Sequence, residues 1–296
     1  MTATRRFVDA MGRTVYIAPT PRRLVSLVPS LTEILFDFGC GAEVVGITDY
    51  CTEPAIEVAQ KTRIGGTKNP DLTAILALQP ELVFAVAEEN RRDDVARLEA
   101  VGIPVYVFEP TTVRDGIALL WRVAEILACR EAVAPSLQAI EDIYAETQAL
   151  TASRPSVRVF CPIWKEPYMT INAGTYIHDM LRVCGGENVF AERDRRFPLA
   201  ADLGQQSERT GSRDVERDRR YPRVTLEEMA ARRPDVILLP DEPYVFSQAD
   251  VADFAAFPDV PAVSQNRIYL IDGKILSWYG PRIGKSLCIL RELLIS

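Results

Sequence analysis

Aromatic side chains gather where the apolar runs of this sequence end. Tyr50 follows Val44–Thr48, Trp164 and Tyr168 follow Val157–Cys161, Tyr244 and Phe246 follow Val236–Leu239, and Trp278 and Tyr279 follow Arg267–Ile271. Polar residues share these ends: Glu88, Glu89 and Arg91 after Glu81–Ala87, then Asp241 and Asp272. Aromatics beside a few fixed polar groups suit a large, flat, partly apolar ligand. Any one of them is accounted for by packing alone; the reading rests on several converging on one edge. The candidate ligand-binding residues are therefore Tyr50, Glu89, Arg91, Trp164, Tyr168, Trp278 and Tyr279.

Other chemistry is thinly supplied. The single histidine, His178, stands three residues after Thr175, in the first turn of an expected helix. An imidazole there suits axial ligation of a metal held in a macrocycle, and equally a hydrogen-bonded helix residue. No serine motif surrounds it, and no phosphate-binding G-x-x-x-x-G-K-[ST] occurs. Gly39-Cys40-Gly41 follows a helix and lacks a third glycine, so it reads as a helix end and not a dinucleotide loop. The six cysteines, Cys40, Cys51, Cys129, Cys161, Cys184 and Cys288, include no C-x-x-C pair and no zinc-like spacing with histidine. They read as free thiols, most of them buried.

The bulk composition narrows the class. The chain has 296 residues, 48% apolar and 25% charged, with a net charge of −7. That describes a globular protein of two-domain size and argues against nucleic-acid or anionic-membrane binding. No run approaches the roughly 18 apolar residues of a membrane span. The opening MTATRRFVDAMGRTVYIAP shows no apolar leader. From this a cytoplasmic location is predicted, or a periplasmic one where a leader has been removed. No cofactor is required by any motif.

Strands and helices alternate along the chain. Residues 5–20 read as a ribbon turning at Gly12. Strands are predicted at Leu24–Val28, Val44–Thr48, Glu81–Ala87 and Val105–Phe108, with helices at Ser30–Gly39, Leu72–Leu78, Arg91–Ala100 and Val113–Leu127. Ser30 and Glu33 have capping-box spacing. A helix of about 30 Å is predicted over Glu131–Ala152, with Leu137, Ile140, Tyr144 and Ala145 on one face and Pro135 in the first turn. The pattern then repeats, with strands at Val157–Cys161, Val236–Leu239 and Arg267–Ile271 and helices at Thr175–Val183, Leu226–Ala231 and Arg282–Leu294. Unbroken apolar strands alternating with helices imply mostly parallel sheets covered on both faces. The predicted organisation is an α/β lobe over 1–130, a linking helix over 131–152 and a second α/β lobe over 153–296, with a ligand cleft between lobes. A polar insertion spans 192–222, where ERDRRFP at 192–198 returns as ERDRRYP at 216–222. Residues 199–215 lack apolar periodicity and are expected to be mobile.

Three stretches carry a resemblance: RRLVSLVPSLTEILFDFGCGAEVVGIT, IGGTKNPDLTAILALQPELVFA and LEAVGIPVYVFEPTT, followed in order by RVCGGENVF, TLEEMAARRPDVILL and WYGPRIGKSLCILREL. Over about residues 5–295 the chain resembles the helical-backbone substrate-binding proteins of ABC importers, which include cobalamin, haem and siderophore receptors. The resemblance implies two Rossmann-like lobes, one linking helix and non-enzymatic binding of a corrinoid or related metal-tetrapyrrole. It places Tyr50 where a tyrosine lines the cobalamin cleft, and makes Cys184 and Cys288 spatial neighbours at the place of a disulfide pair. It also puts Thr73 and Ser277 where such receptors present glutamates to the permease, so charge-assisted docking is not expected. Two alternatives remain open. A ferric-siderophore or other metal-chelate receptor would use Arg91 and Arg282, with Lys165; an intracellular tetrapyrrole-handling enzyme or chaperone would use Glu88, Glu89 or Glu166 as acid or base.

Overall fold

The computed structural model describes residues 4–209 and 218–295. The chain divides into two units: Met1–Pro110, Arg114–Glu141 and Tyr279–Ile283 form the first, and Thr111–Val113, Asp142–Trp278 and Gly284–Ser296 form the second.

In the first unit, β1 (Arg5–Val8) and β2 (Thr14–Ile17) make an antiparallel ribbon. Then come β3 (Leu24–Ser26), α1 (Pro29–Asp37), β4 (Val44–Ile47), α2 (Ala55–Val58) and β5 (Thr62–Arg63). A tight hairpin, β6 (Gly65–Gly66) and β7 (Asn69–Pro70), precedes α3 (Leu72–Ala77), β8 (Leu82–Val86), α4 (Arg92–Ala100), β9 (Val105–Phe108) and α5 (Val113–Ile126). The five-stranded parallel sheet has the order β5-β4-β3-β8-β9. Every residue of β3, β8 and β9 is buried, as expected of strands with helices on both faces. Val25, Leu27, Ile64, Val83 and Val105 form its core with Ile75 and Leu98 of the helices.

One helix, α6 (Arg130–Thr151), carries the chain from the first unit into the second. Val133, Leu137, Ile140 and Thr147 are its buried positions, whereas Ala145 is exposed. Pro135 lies inside the helix, six residues in and not in the first turn. It therefore removes one intrahelical hydrogen bond, which the N-terminal placement expected from the sequence would have avoided.

In the second unit, β10 (Val157–Phe160) is followed by a hairpin of β11 (Pro162–Trp164) and β12 (Met169–Thr170), then α7 (Tyr176–Val183) and β13 (Gly186–Asn188). The chain continues through α8 (Leu199–Asp202), α9 (Leu226–Arg232), β14 (Val236–Pro240), α10 (Gln248–Val251), α11 (Pro261–Ser264), β15 (Ile268–Ile271), α12 (Gly273–Ser277) and α13 (Ile283–Ile295). The four main strands are parallel in the order β13-β10-β14-β15. Phe160 packs edge-on against Phe190 and Phe254, with ring centres 5.7 and 6.4 Å apart.

Two local expectations are corrected. Val28, not Ser30, occupies the N-cap of α1, because Pro29 takes the first helical position, where its missing N–H costs nothing. Ser30 is buried in the first turn, and Glu33 pairs with Arg282, whose Nε donates to Oε2 at 2.8 Å. The insertion is also better anchored than its polarity implies. Asp202 of α8 is fully buried, and its carboxylate accepts the backbone N–H groups of Arg196 and Arg223 at 2.8 Å each. Residues 220–223, at the end of the second copy, run antiparallel to β12 through Thr170–Pro222 and Asn172–Arg220 backbone bonds. The expected mobility thus fails for Leu199–Asp202, and residues 210–215 lie outside the described residues.

This anchoring sets a test. Asp202→Ala leaves two part-buried N–H groups without their acceptor, so urea unfolding is expected to show a loss of roughly 1–3 kcal/mol. Asp202→Asn, which keeps one acceptor oxygen, is expected to lose less.

Candidate functional site

Parallel sheets bind ligands outside the carboxyl ends of their strands, at the point where strand order reverses. In the first unit that point falls between β3 and β8, because β4 and β5 are added on one side and β8 and β9 on the other. In the second it falls between β10 and β14.

The first reversal point is tied together by Asn90. Its Oδ1 accepts the Val86 N–H at 2.8 Å, while Nδ2 donates to the Leu27 carbonyl at 3.2 Å and the Thr67 carbonyl at 3.0 Å. One side chain thus joins the ends of β8 and β3 to the β6–β7 hairpin. Beside it the Tyr279 hydroxyl donates to Glu89 Oε1 at 3.1 Å. Tyr279 is buried, and burial, then the Glu89 charge, push its hydroxyl well above the ordinary range. It is a neutral donor across accessible pH. Arg91 sits exposed at the N-cap of α4. Tyr50, after β4, is 63% exposed. Its ring lies 3.3 Å from where a Cβ on Gly66 would stand, so that glycine makes room for it.

The second reversal point carries an aromatic pair. Trp164, 43% exposed, meets Tyr244 edge-on at 5.7 Å, and Tyr244 meets Phe246 at 4.7 Å. Tyr168 is committed elsewhere: it stacks on Phe246, and its hydroxyl donates to Asp253 Oδ2 at 2.7 Å. Lys165 Nζ joins the same cluster at 2.7 Å from both Asp250 and Asp253. Trp278 is 7% exposed and donates through Nε1 to Glu242 Oε2 at 3.1 Å. Burial raises the Glu242 carboxyl above its ordinary value. Gly273 lets α12 reach this place, since a Cβ there would stand 2.9 Å from Glu242 atoms while its N–H donates to Asp241 at 2.7 Å.

The sequence-predicted residues thus fall into two groups: Tyr50, Glu89, Arg91 and Tyr279 in the first unit, and Trp164, Tyr168 and Trp278 in the second. Asn90, Glu242, Asp250 and Asp253 were missed as supports. Asn90 lies in the EENR run, but the acids sit 36 to 88 residues from the aromatics and lysine they hold and leave no local signal. His178, on α7, is half-buried, with its Nδ1 shielded and without a hydrogen-bond partner among the described residues. Burial lowers its pKa and keeps the ring neutral. Among the described residues, no group of three or more His, Cys, Asp or Glu side chains could hold a metal ion. Cys184 and Cys288 are free thiols; burial, with a contribution from nearby Cys288, pushes Cys184 up to about 12. Thr73 is exposed on α3, and Ser277 bonds back to the Gly273 carbonyl at 2.9 Å, so neither position presents a charge. A depression of about 300 Å³ in the second unit, lined by Arg154, Val157, Asp235 and Arg267, lies at the opposite ends of the strands from the aromatics.

The fold is thus two parallel α/β sheets, each with side chains gathered at the carboxyl ends of its strands. Residues 24–275 match the periplasmic binding protein family, and the chain belongs to it. The vitamin B12-binding protein of Salmonella typhimurium is 28% identical over 225 residues, covering 76% of this chain and 73% of that protein. The periplasmic vitamin B12 binding protein BtuF of Vibrio cholerae superposes with a TM-score of 0.73 at 21% identity, over 93% of this chain and 97% of that one. The periplasmic haem-binding protein RhuT from Roseiflexus sp. RS-1, in apo form, does so at 0.69 and 22%, over 92% and 97%. At these identities the structures establish the fold, in agreement with the α/β, helical-backbone expectation.

Membership also corrects one expectation. The cytoplasmic location read from the opening residues is overturned, because the family is periplasmic. That reading rested on how the sequence begins, which does not report the compartment. Among the described residues no helix is long and apolar enough to cross a membrane.

The lysine cluster carries a pH prediction. Asp250 and Asp253 are held below their ordinary 3.8, chiefly by hydrogen bonds from Lys165. Their share of stability is present above that value and is lost as pH falls through the depressed values. Lys165 is raised above its ordinary 10.5 by the same bonds, so its share is full below 10.5 and is lost only as pH rises through the raised value. The excess melting temperature of the wild type over Lys165→Met is therefore expected to be flat from about pH 5 to 9 and to shrink below about pH 4.

Proposed function

We propose that this protein is a non-enzymatic binding protein for a corrinoid or related metal-tetrapyrrole, contacted by exposed aromatic side chains at strand ends. The observation that carries the reading is the exposed aromatic surface at those ends: Tyr50 at 63% and Trp164 at 43%, the latter braced by Tyr244. Exposed, braced rings suit the flat apolar periphery of such a ligand, with Glu89 and Arg91 available for its polar edge. The names borne by the relatives, vitamin B12-binding and haem-binding, point the same way. His178 is the candidate axial ligand, through Nε2, since Nδ1 is shielded.

The ferric-siderophore alternative needs cations converging on anionic oxygens. Arg282 is engaged with Glu33, and Lys165 with Asp250 and Asp253. That leaves Arg91 as the exposed member of the set named from the sequence. Family membership weighs against the enzymatic alternative, because the family is one of binding proteins.

Titration with cobalamin, cobinamide, haem and a ferric chelate, followed by calorimetry and tryptophan quenching, tests the reading. A corrinoid or haem is expected to bind and the ferric chelate not to; the reverse order overturns the proposal. Trp164→Ala is expected to weaken binding by about 1–3 kcal/mol, the scale of a large aromatic contact. Trp278→Ala is a poorer probe, because it also strips a hydrogen bond from the half-buried Glu242. His178→Ala is expected to abolish any shift of the ligand's visible bands while leaving the melting temperature unchanged.

A further inference from the structure

Trp164 is an exposed ring of the second unit, and the contacts around it form a closed circuit. It ends β11, and the turn to β12 carries Lys165 and Tyr168 on either side of Glu166-Pro167. Lys165 Nζ lies 2.7 Å from Asp250 and 2.7 Å from Asp253, and the lysine and Asp250 side chains are only 19% and 8% exposed. The Tyr168 hydroxyl donates to Asp253 as well, at 2.7 Å. Asp250 is itself fixed at the start of α10, because its Oδ2 accepts both the N–H and the hydroxyl of Ser247 at 2.8 Å. The segment leading into α10 carries Tyr244 and Phe246. Tyr244 meets both Trp164 and Phe246 edge-on, and Phe246 stacks on Tyr168. Contacts thus run from Trp164 through Tyr244, Phe246, Tyr168 and Asp253 to Lys165, which is the next residue after Trp164 in the chain.

We propose that Lys165, held by Asp250 and Asp253, is the positioning residue for Trp164: it clamps the β11–β12 turn to α10 so that the indole meets the ligand in one orientation. This rests on the reading of Trp164 as a ligand contact. A single edge contact between rings holds an indole loosely. An ammonium with two carboxylates at hydrogen-bond distance, one of them locked into a helix cap, fixes where the turn lies. The lysine and Asp250 are shielded from solvent, so salt screens their pairing less than that of a surface pair. The lysine charge is neutralised by the two acids, and its part in binding is to place its neighbour. A side chain that must be ordered on binding weakens affinity by roughly 2- to 12-fold, and the clamp removes that cost in advance.

The full chain is labelled with 5-fluorotryptophan, which gives one fluorine resonance for each of the three tryptophans, and that of Trp164 is assigned by Trp164→Phe. Without any ligand, Lys165→Met is expected to move and broaden the Trp164 resonance as the indole leaves the Tyr244 ring, while Trp121 and Trp278 keep theirs. Lys165→Arg, which keeps the charge, is expected to restore much of the shift. Tyr168→Phe, which removes only the hydroxyl on Asp253, is expected to move Trp164 in the same direction by less. In titrations with cobinamide and haem, Lys165→Met is expected to bind roughly 2- to 12-fold more weakly. Added to Trp164→Ala, it is expected to weaken binding no further. An unmoved Trp164 resonance in Lys165→Met overturns the proposal. So does movement of all three resonances in Lys165→Met and Tyr168→Phe alike, which marks a general loss of structure. Additivity of Lys165→Met with Trp164→Ala also overturns it, because the lysine is then a contact in its own right. A chain that binds neither tetrapyrrole overturns the reading of Trp164 as a ligand contact, and the ligand-free resonances still decide whether Lys165 places the ring.

Discussion

In each unit the first strand of the parallel sheet, β3 or β10, takes an interior position, and neighbours are added on both sides. A parallel sheet begun in its middle must part its connections at one point, and there the strand ends are left uncovered. The parted ends would drift without a tie, and the backbone groups they free would be buried without partners. At β3 and β8 the tie is the Asn90 amide, which uses its acceptor and both donor directions on Val86, Leu27 and Thr67. Past β10 and β14 the contact is between rings, Trp164 against Tyr244.

Acids decide which aromatics are surface and which are framework. Tyr279, Trp278 and Tyr168 each give their polar atom to a carboxylate, on Glu89, Glu242 and Asp253 respectively. Such a bond settles the donor of an otherwise apolar ring and lets the ring sink. Tyr50 and Trp164 stay exposed. A list of aromatics at strand ends therefore holds two populations with different work, and the bonding partner separates them.

Much of this architecture was legible in the residues. Strands such as Leu82–Val86 and Val105–Phe108 are buried on both faces, so unbroken apolar runs mark them without alternation to interpret. Local rules misled where a neighbour in the chain outranked them. Pro29 displaced Ser30 from the cap of α1, and Pro135 was absorbed into α6. The packing of Leu199–Asp202 was illegible because one buried carboxylate, not an apolar stripe, fixes it. In the site, the strand-end aromatics could be found from sequence, since strand ends are predictable. Their acidic partners could not, because Glu242 and Asp253 meet Trp278 and Tyr168 only through the fold. The return of Tyr279–Ile283 to the first unit likewise has no periodic signature.

The repeated segment has a property that follows from its own geometry. The Arg195 N–H donates to the Arg219 carbonyl at 2.9 Å. These residues hold the same place in the two copies of the ERDRR motif. A copy of a motif that pairs with its parent at equivalent positions stays in register without any new complementary sequence having to arise. Replication slippage that adds or removes one such segment would therefore change the reach of this loop in whole steps. The flanking attachments at Ala173–Ala191 and Thr170–Pro222 belong to the ends of the segment and would persist. Any such step that removed Leu199–Asp202 would also remove the carboxylate that holds Arg223, so the anchor sets which steps the loop tolerates.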